Sequence, residues 1–150
     1  MPQSLSKVLL HVVFSTKNRE KSIPRHLRTA LHVYLAGVCR ARGAEAFRIG
    51  GTNDHVHIAC SLPRTLTMAK LVEEIKKPSS IWMKGQEGGT PDFSWQSGYG
   101  IFSLGQSQLQ TLLQYIDNQE EHHQTKSFKE ELLELLEKYG VDYDERYLWD

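Results

Sequence analysis

Gly50-Gly51-Thr52-Asn53-Asp54-His55-Val56-His57-Ile58-Ala59-Cys60-Ser61-Leu62 is the stretch whose reading decides the fold. Its first five residues have the chemistry of a turn, and the apolar run from His55 to Leu62 reads as a strand. Ala44 to Ile49, just ahead of the turn, reads as the hairpin partner. Side chains alternate across a strand, so His55 and His57 share one face, ~7 Å apart, while Val56 enters the core from the other.

Working outward, Val8 to Phe14 is apolar on both faces, the pattern of a central strand. Ser22 and Pro24 then supply helix start signals, Leu27, Ala30, Leu31, Tyr34, Leu35 and Val38 recur at helical spacing, and Gly43 supplies a stop. After the hairpin, Met68, Leu71, Val72 and Ile75 continue helically until Pro78, which is expected to end or kink that helix. Residues 85–92 are turn chemistry throughout and read as a flexible loop. Phe93 to Leu104 reads as the last strand or a small hairpin. Ser107 is placed to cap a helix with Leu109, Leu112, Leu113 and Ile116, and that helix carries Tyr115 and Gln119. Ser127 and Glu130 form a capping box for a final helix with Phe128, Leu132, Leu135 and Leu136, stopped by Gly140.

The order βαββαβ followed by extra helices predicts an α+β, ferredoxin-like (RRM-like) antiparallel sheet with both crossover helices on one face. We expect one domain over residues 1–150, with a core at about 5–122 and a C-terminal helix and tail at about 127–150. The histidine strand is central in that topology, so His55 and His57 face the side without crossovers. A third helix crossing that side would complete a site.

A chain of 150 residues can bury roughly two thirds of its unfolded surface without disulfides. Cys39 and Cys60 form no disulfide framework or metal knuckle, which favours a reduced compartment. The start carries no signal segment and no stretch is long enough to span a bilayer, so a cytoplasmic location is expected. The formal charge is zero but segregated: residues 1–84 hold 14 Lys and Arg against 5 Asp and Glu, and residues 85–150 hold 4 against 13. Such a basic half suits an anionic partner, with Lys17, Arg19, Lys21, Arg25, Arg28 and Arg48 among the sources of phosphate contacts.

Two imidazoles on one strand face can bind one metal ion, and Asp54 beside them can orient a ring by accepting its N–H. Four residues apart on a helix, Tyr115 can offer a phenol beside the amide oxygen of Gln119. A phenol is only about one part in a thousand ionised at neutral pH, so attack on phosphorus needs help, and a divalent cation supplies it. The histidine pair and the tyrosine thus explain one another as metal-assisted phosphoryl transfer. Gln119 would add a neutral oxygen ligand suited to Mg²⁺ or Mn²⁺. His122 and His123 are rival ligands; adjacent in a helix, they point ~100° apart and rank below Gln119. Ala59 stands where a third alternating histidine would be needed for a histidine-triad hydrolase, and Gly50-Gly51 is too short for a phosphate-cradling loop.

His11-Val12-Val13-Phe14-Ser15-Thr16-Lys17, Asp54-His55-Val56-His57-Ile58 and Tyr115-Ile116-Asp117-Asn118-Gln119 together resemble the HUH-endonuclease superfamily, specifically its single-tyrosine, insertion-sequence-200/605-like transposases. The resemblance implies a transposase that cleaves and rejoins single-stranded DNA through a 5′-phosphotyrosine intermediate, with Tyr115 as nucleophile and His55, His57 and Gln119 as ligands of Mg²⁺ or Mn²⁺. It further implies imperfect DNA hairpins as substrates and a homodimer whose tyrosine helix can complete the partner's site in trans. Pro78 departs from the lysine-and-serine run usual in that helix and bears on nearby DNA contacts. Two other readings remain open: a noncatalytic or domesticated ferredoxin-like module binding single-stranded nucleic acid, and a metal-dependent phosphodiesterase of small nucleotides.

Overall fold

The computed structural model describes residues 2–150. Strands β1 (Leu9–Ser15), β2 (Ala46–Gly51), β3 (His55–Ser61) and β4 (Gly100–Leu104) form one antiparallel sheet in the order β2-β3-β1-β4. Helices α1 (Arg25–Ala41) and α2 (Met68–Lys84) are the two crossovers, so the fold is the ferredoxin-like α+β arrangement that the element order predicts. The histidine strand β3 is central. Leu10, Val12 and Phe14 of β1 and Val56, Ile58 and Cys60 of β3 pack on Leu27, Leu31, Leu35, Leu71 and Ile75 of the two helices. The four-residue spacing of Leu27, Leu31, Leu35 and Cys39 is the stripe that buries α1.

Four local expectations are corrected. The strand expected over Ala44 to Ile49 runs Ala46–Gly51, because Gly50 and Gly51, read as turn, continue the pairing to His57 and Val56 and leave only residues 52–54 as the turn. Helix α2 runs through Pro78 to Lys84 instead of ending there. Proline removes one backbone donor, but Ile75, Ser79 and Met83 anchor the helix on both sides of it. Ser79 Oγ donates to the Ile75 carbonyl at 2.7 Å and accepts from Trp95 Nε1 at 2.9 Å, which ties this turn to the core. The last strand is shorter than Phe93 to Leu104, because Phe93 and Trp95 instead stack edge-on over the core, leaving one isolated bridge from Trp95 to Thr16. Ser107 does not cap the next helix; a 3-10 turn over Gln106–Gln108 leads into it, with Gln108 Oε1 accepting from the Gly105 N–H at 2.9 Å.

Beyond β4 come α3 (Leu109–Asp117), α4 (Gln119–His122), α5 (Phe128–Lys138) and α6 (Glu145–Leu148). The expected capping box opens α5, with Ser127 Oγ accepting from Glu130 N at 3.2 Å and the Glu130 carboxylate accepting from Ser127 N at 3.3 Å. These helices cover the sheet face opposite the crossovers along two apolar seams. Leu109, Leu113 and Ile116 lie against Ala59, while Phe128, Leu132 and Leu136 lie against Val13 and Phe102. Polar residues fill the space between the seams. Among the described residues, no helix is long and apolar enough to cross a membrane.

Candidate metal and nucleophile site

Strand alternation puts His55 and His57 on the same face as His11, and all three are buried. Their ring centroids lie 5.1 Å apart for the β3 pair and 5.0 Å apart for His11 and His57. Antiparallel register sets Val13 opposite His57 and the small Ala59 opposite His11, which leaves room for the rings. From above, α3 brings Tyr115, α4 brings Gln119 and His122, His123 follows at its end, and α5 brings Glu131. Five of the seven histidines in the chain thus converge on one face, more than packing requires.

Glu131 is the hub. Its Oε1 accepts from His57 Nε2 at 2.9 Å and from His123 Nε2 at 3.0 Å, with His55 Nε2 at 3.5 Å. Its Oε2 accepts from the Tyr115 hydroxyl and, at 3.0 Å, from Gln119 Nε2, with His122 Nε2 at 3.4 Å. If His57 donates through Nε2, its Nδ1 accepts from His11 Nε2 at 2.7 Å. Tyr115 and the β3 histidines therefore meet on one carboxylate within the same chain.

On the other side, Asp54 Oδ1 lies 2.7 Å from His55 Nδ1 and Thr52 Oγ1 lies 3.1 Å from it, so Asp54 orients this ring as its position in the turn suggested. The proton this places on Nδ1 leaves a lone pair on Nε2 in a neutral ring. That lone pair faces Gln119 Oε1, itself an acceptor, at 2.9 Å. Two converging lone pairs fit a proton or a cation between them. His55, His57, His123 and Glu131 each offer a ligand atom, all within 4.8 Å of one another. The mixed imidazole and carboxylate set, with an amide oxygen alongside, suits a divalent ion.

Burial and the charge of neighbouring His57 push His11 down to about 3. Burial also lowers His57, outweighing its bond to Glu131. For His123, burial acts downward but the Glu131 carboxylate prevails and raises it. Burial would raise Glu131, yet the His123 and His57 hydrogen bonds and their charge hold it well below the usual carboxylate range. The Tyr115 phenol is pushed far up, first by burial and then by the Glu131 charge beside it.

Tyr115, His55, His57, Gln119 and the rival ligands His122 and His123 all lie here. The helix expected to carry both Tyr115 and Gln119 breaks at Asn118, so Gln119 opens α4. His122 and His123, expected to diverge, both approach Glu131 because α4 ends between them. Sequence reasoning missed Glu131 and gave His11 no role. A signal existed for both: Glu131 is a charge inside the apolar stripe of Phe128, Leu132 and Leu135, and His11 is the one polar side chain between Leu9 and Phe14.

Part of the basic half is neutralised within the chain. Arg25 and Arg28 pair with Glu120, Arg48 with Asp117, Arg42 with Glu74. Lys17, Lys21 and Arg40 form no ion pair among the described residues, which leaves cationic surface available.

No protein of curated function matches the sequence. Among solved structures, a provisional transposase from Deinococcus radiodurans R1 superposes with a TM-score of 0.60 at 20% identity, over 79% of this chain and 98% of that one. A REP-associated tyrosine transposase bound to a REP hairpin superposes with a TM-score of 0.60 at 17% identity, over 82% of this chain and 73% of that one. At these identities the likeness establishes the shared fold. The profile of the family described as "Transposase IS200 like" matches residues 4–119, a stretch running from the segment before β1 to Gln119 and covering well over half of the chain. The chain belongs to the IS200-like transposase family.

Proposed function

We propose that this transposase cleaves and rejoins single-stranded DNA through a 5′-phosphotyrosine intermediate on Tyr115, with His55, His57 and Gln119 holding Mg²⁺ or Mn²⁺. The observation that carries this reading is the meeting of the Tyr115 hydroxyl and the β3 imidazoles on Glu131. Glu131 and His123 join the ligand set, and the negative carboxylate strengthens attraction for a dication. A bound cation polarises the scissile phosphate and offsets negative charge around it.

In the step itself, the Tyr115 oxygen bonds to phosphorus, the bond from phosphorus to the 3′-oxygen breaks, and the 3′-oxygen leaves as a hydroxyl after taking a proton from water. The phenolic proton passes to water as the oxygen attacks, which balances the proton that the 3′-oxygen takes up, while ionised Glu131 orients the hydroxyl by accepting its hydrogen bond. The phosphotyrosine keeps the phosphodiester's transfer potential, so a second 3′-hydroxyl can displace Tyr115 without ATP. His11 holds His57 through Nδ1 and Asp54 holds His55 through Nδ1, and both rings are thereby oriented with Nε2 toward the cluster. Imperfect hairpins near the element ends are the proposed substrates. Tyr115 lies beside the β3 histidines of its own chain, and in a homodimer its helix would act in trans on the partner's site.

Mixing the purified chain with Mn²⁺ or Mg²⁺ and hairpin-bearing single-stranded DNA is expected to give a covalent adduct that denaturant does not dissociate. Tyr115→Phe should abolish the adduct while DNA binding persists. Adduct formation by the Phe variant would reject Tyr115 as nucleophile. Metal-independent binding with no adduct from the unaltered chain would instead favour a noncatalytic single-strand-binding module.

A further inference from the structure

Between α3 and α5, beside the proposed site, lies a cavity of about 340 Å³ to which no role has been given. Tyr115 and Thr111 line it from α3, His11 from the sheet and Gln108 from the turn before α3. Lys138 and Tyr139 line it at the end of α5. We propose that this cavity is a nucleotide subsite, holding one deoxynucleotide of the single strand next to the phosphate that Tyr115 attacks.

Its size lies at the lower end of the ~300–1,000 Å³ typical of small-ligand clefts, which suits one nucleotide and not a folded segment. No carboxylate lines it, so a cation is a poor occupant. Lys138 has no carboxylate partner among the described residues and sits 5.4 Å over the Tyr139 ring, an unpaired charge for a backbone phosphate. Leu112 and Leu135 offer apolar contact to the faces of a base. Thr111 brings a hydroxyl, and Gln108, whose Oε1 is engaged by Gly105 N, keeps its amide N–H groups for base-edge acceptors. A strand entering here would bring a phosphate close to Tyr115, which lines the cavity. The assignment rests on reading Tyr115 as the nucleophile, because that reading brings a DNA strand to this cavity.

The test is fluorescence-anisotropy binding of dT, dA and dC 12-mers to the full chain and to Thr111→Phe, Lys138→Ala and Gln108→Ala. Thr111 and Lys138 are both exposed, so these changes leave the core intact, and circular dichroism checks each variant. Thr111→Phe fills the cavity and Lys138→Ala removes its cation; each should weaken binding about fivefold or more, the scale of one lost base or phosphate contact. Gln108→Ala should change the ranking of the three oligonucleotides. Lys129→Ala, the same charge change elsewhere on α5, controls for general electrostatics and should stay within about twofold. If Thr111→Phe binds like the unaltered chain, or Lys129→Ala loses as much as Lys138→Ala, the subsite is rejected. Should the hairpin adduct form normally while these variants bind normally, only the subsite falls. Should no adduct form while the variants lose binding as stated, the nucleophile assignment falls and the cavity stands as a single-strand contact.

Discussion

Tyr115 donates its phenolic hydrogen to Glu131, a residue 16 positions further along the chain on a different helix. The same carboxylate accepts from His57 on β3 at 2.9 Å. Tyr115 and the candidate ligand strand are therefore coupled through one buried charge, and the resting arrangement keeps the phenol protonated.

Glu131→Gln keeps the shape of this hub and removes its charge. Losing an anionic ligand should weaken Mn²⁺ binding about tenfold or more, equivalent to ~1.4 kcal/mol. Calorimetric titration with Mn²⁺ reads this directly. Unchanged affinity would place Glu131 outside the ligand set.

Gly50 pairs with His57 in the β2–β3 register, directly beneath the end of α3. A Cβ there would lie 2.7 Å from Ile116 Cγ2 and 2.8 Å from the Ile116 carbonyl oxygen, so Gly50→Ala must push away the helix that carries Tyr115. We expect a loss of ~1–3 kcal/mol in urea unfolding and a reduced adduct yield. Unaltered stability would show that α3 can shift at no cost.

Pro78 leaves the Glu74 carbonyl without its helical donor inside α2. Pro78→Ala restores the N–H, offset in part by a looser unfolded chain, and should raise stability by about 1–2 kcal/mol. A lowered denaturation midpoint would mean that the ring contributes packing that the helix needs.

His11 has a folded-state pKa of about 3 against an ordinary 6.5, so the unfolded chain takes up a proton that the folded chain refuses across that interval. Stability in metal-free protein should therefore fall as pH drops below about 6.5, by up to ~1.4 kcal/mol per pH unit for one proton, and this contribution should be level at higher pH. Urea unfolding at several pH values should give a shallower slope for His11→Gln between pH ~6 and ~4. Identical slopes would assign the acid sensitivity to other groups.

Burial pushes the thiols of Cys39 and Cys60 up to about 11 and about 12. Neither should react with an aromatic disulfide reagent at neutral pH until the chain is unfolded, when both should. Rapid labelling of the folded protein would contradict their place in the core.

Local pattern alone determined the order of elements, the hairpin before His55 though not where its turn begins, the capping box at Ser127 and the shared face of His55 and His57. These depend on separations of two to four residues, over which backbone geometry is periodic. It also put Tyr115 and Gln119 close together, although the break at Asn118 lay beyond that reasoning. Pro78 misled because a proline's cost is local, while the burial of Ile75, Ser79 and Met83 that overrides it is tertiary.

Tertiary structure decided which groups complete the cluster. His11 meets His57 across 46 positions and Glu131 meets it across 74, and neither contact follows from any periodicity. Both depend on strand register and on the path of α5 over the sheet, which are set by how the apolar seams around Val13, Phe102 and Ala59 are buried.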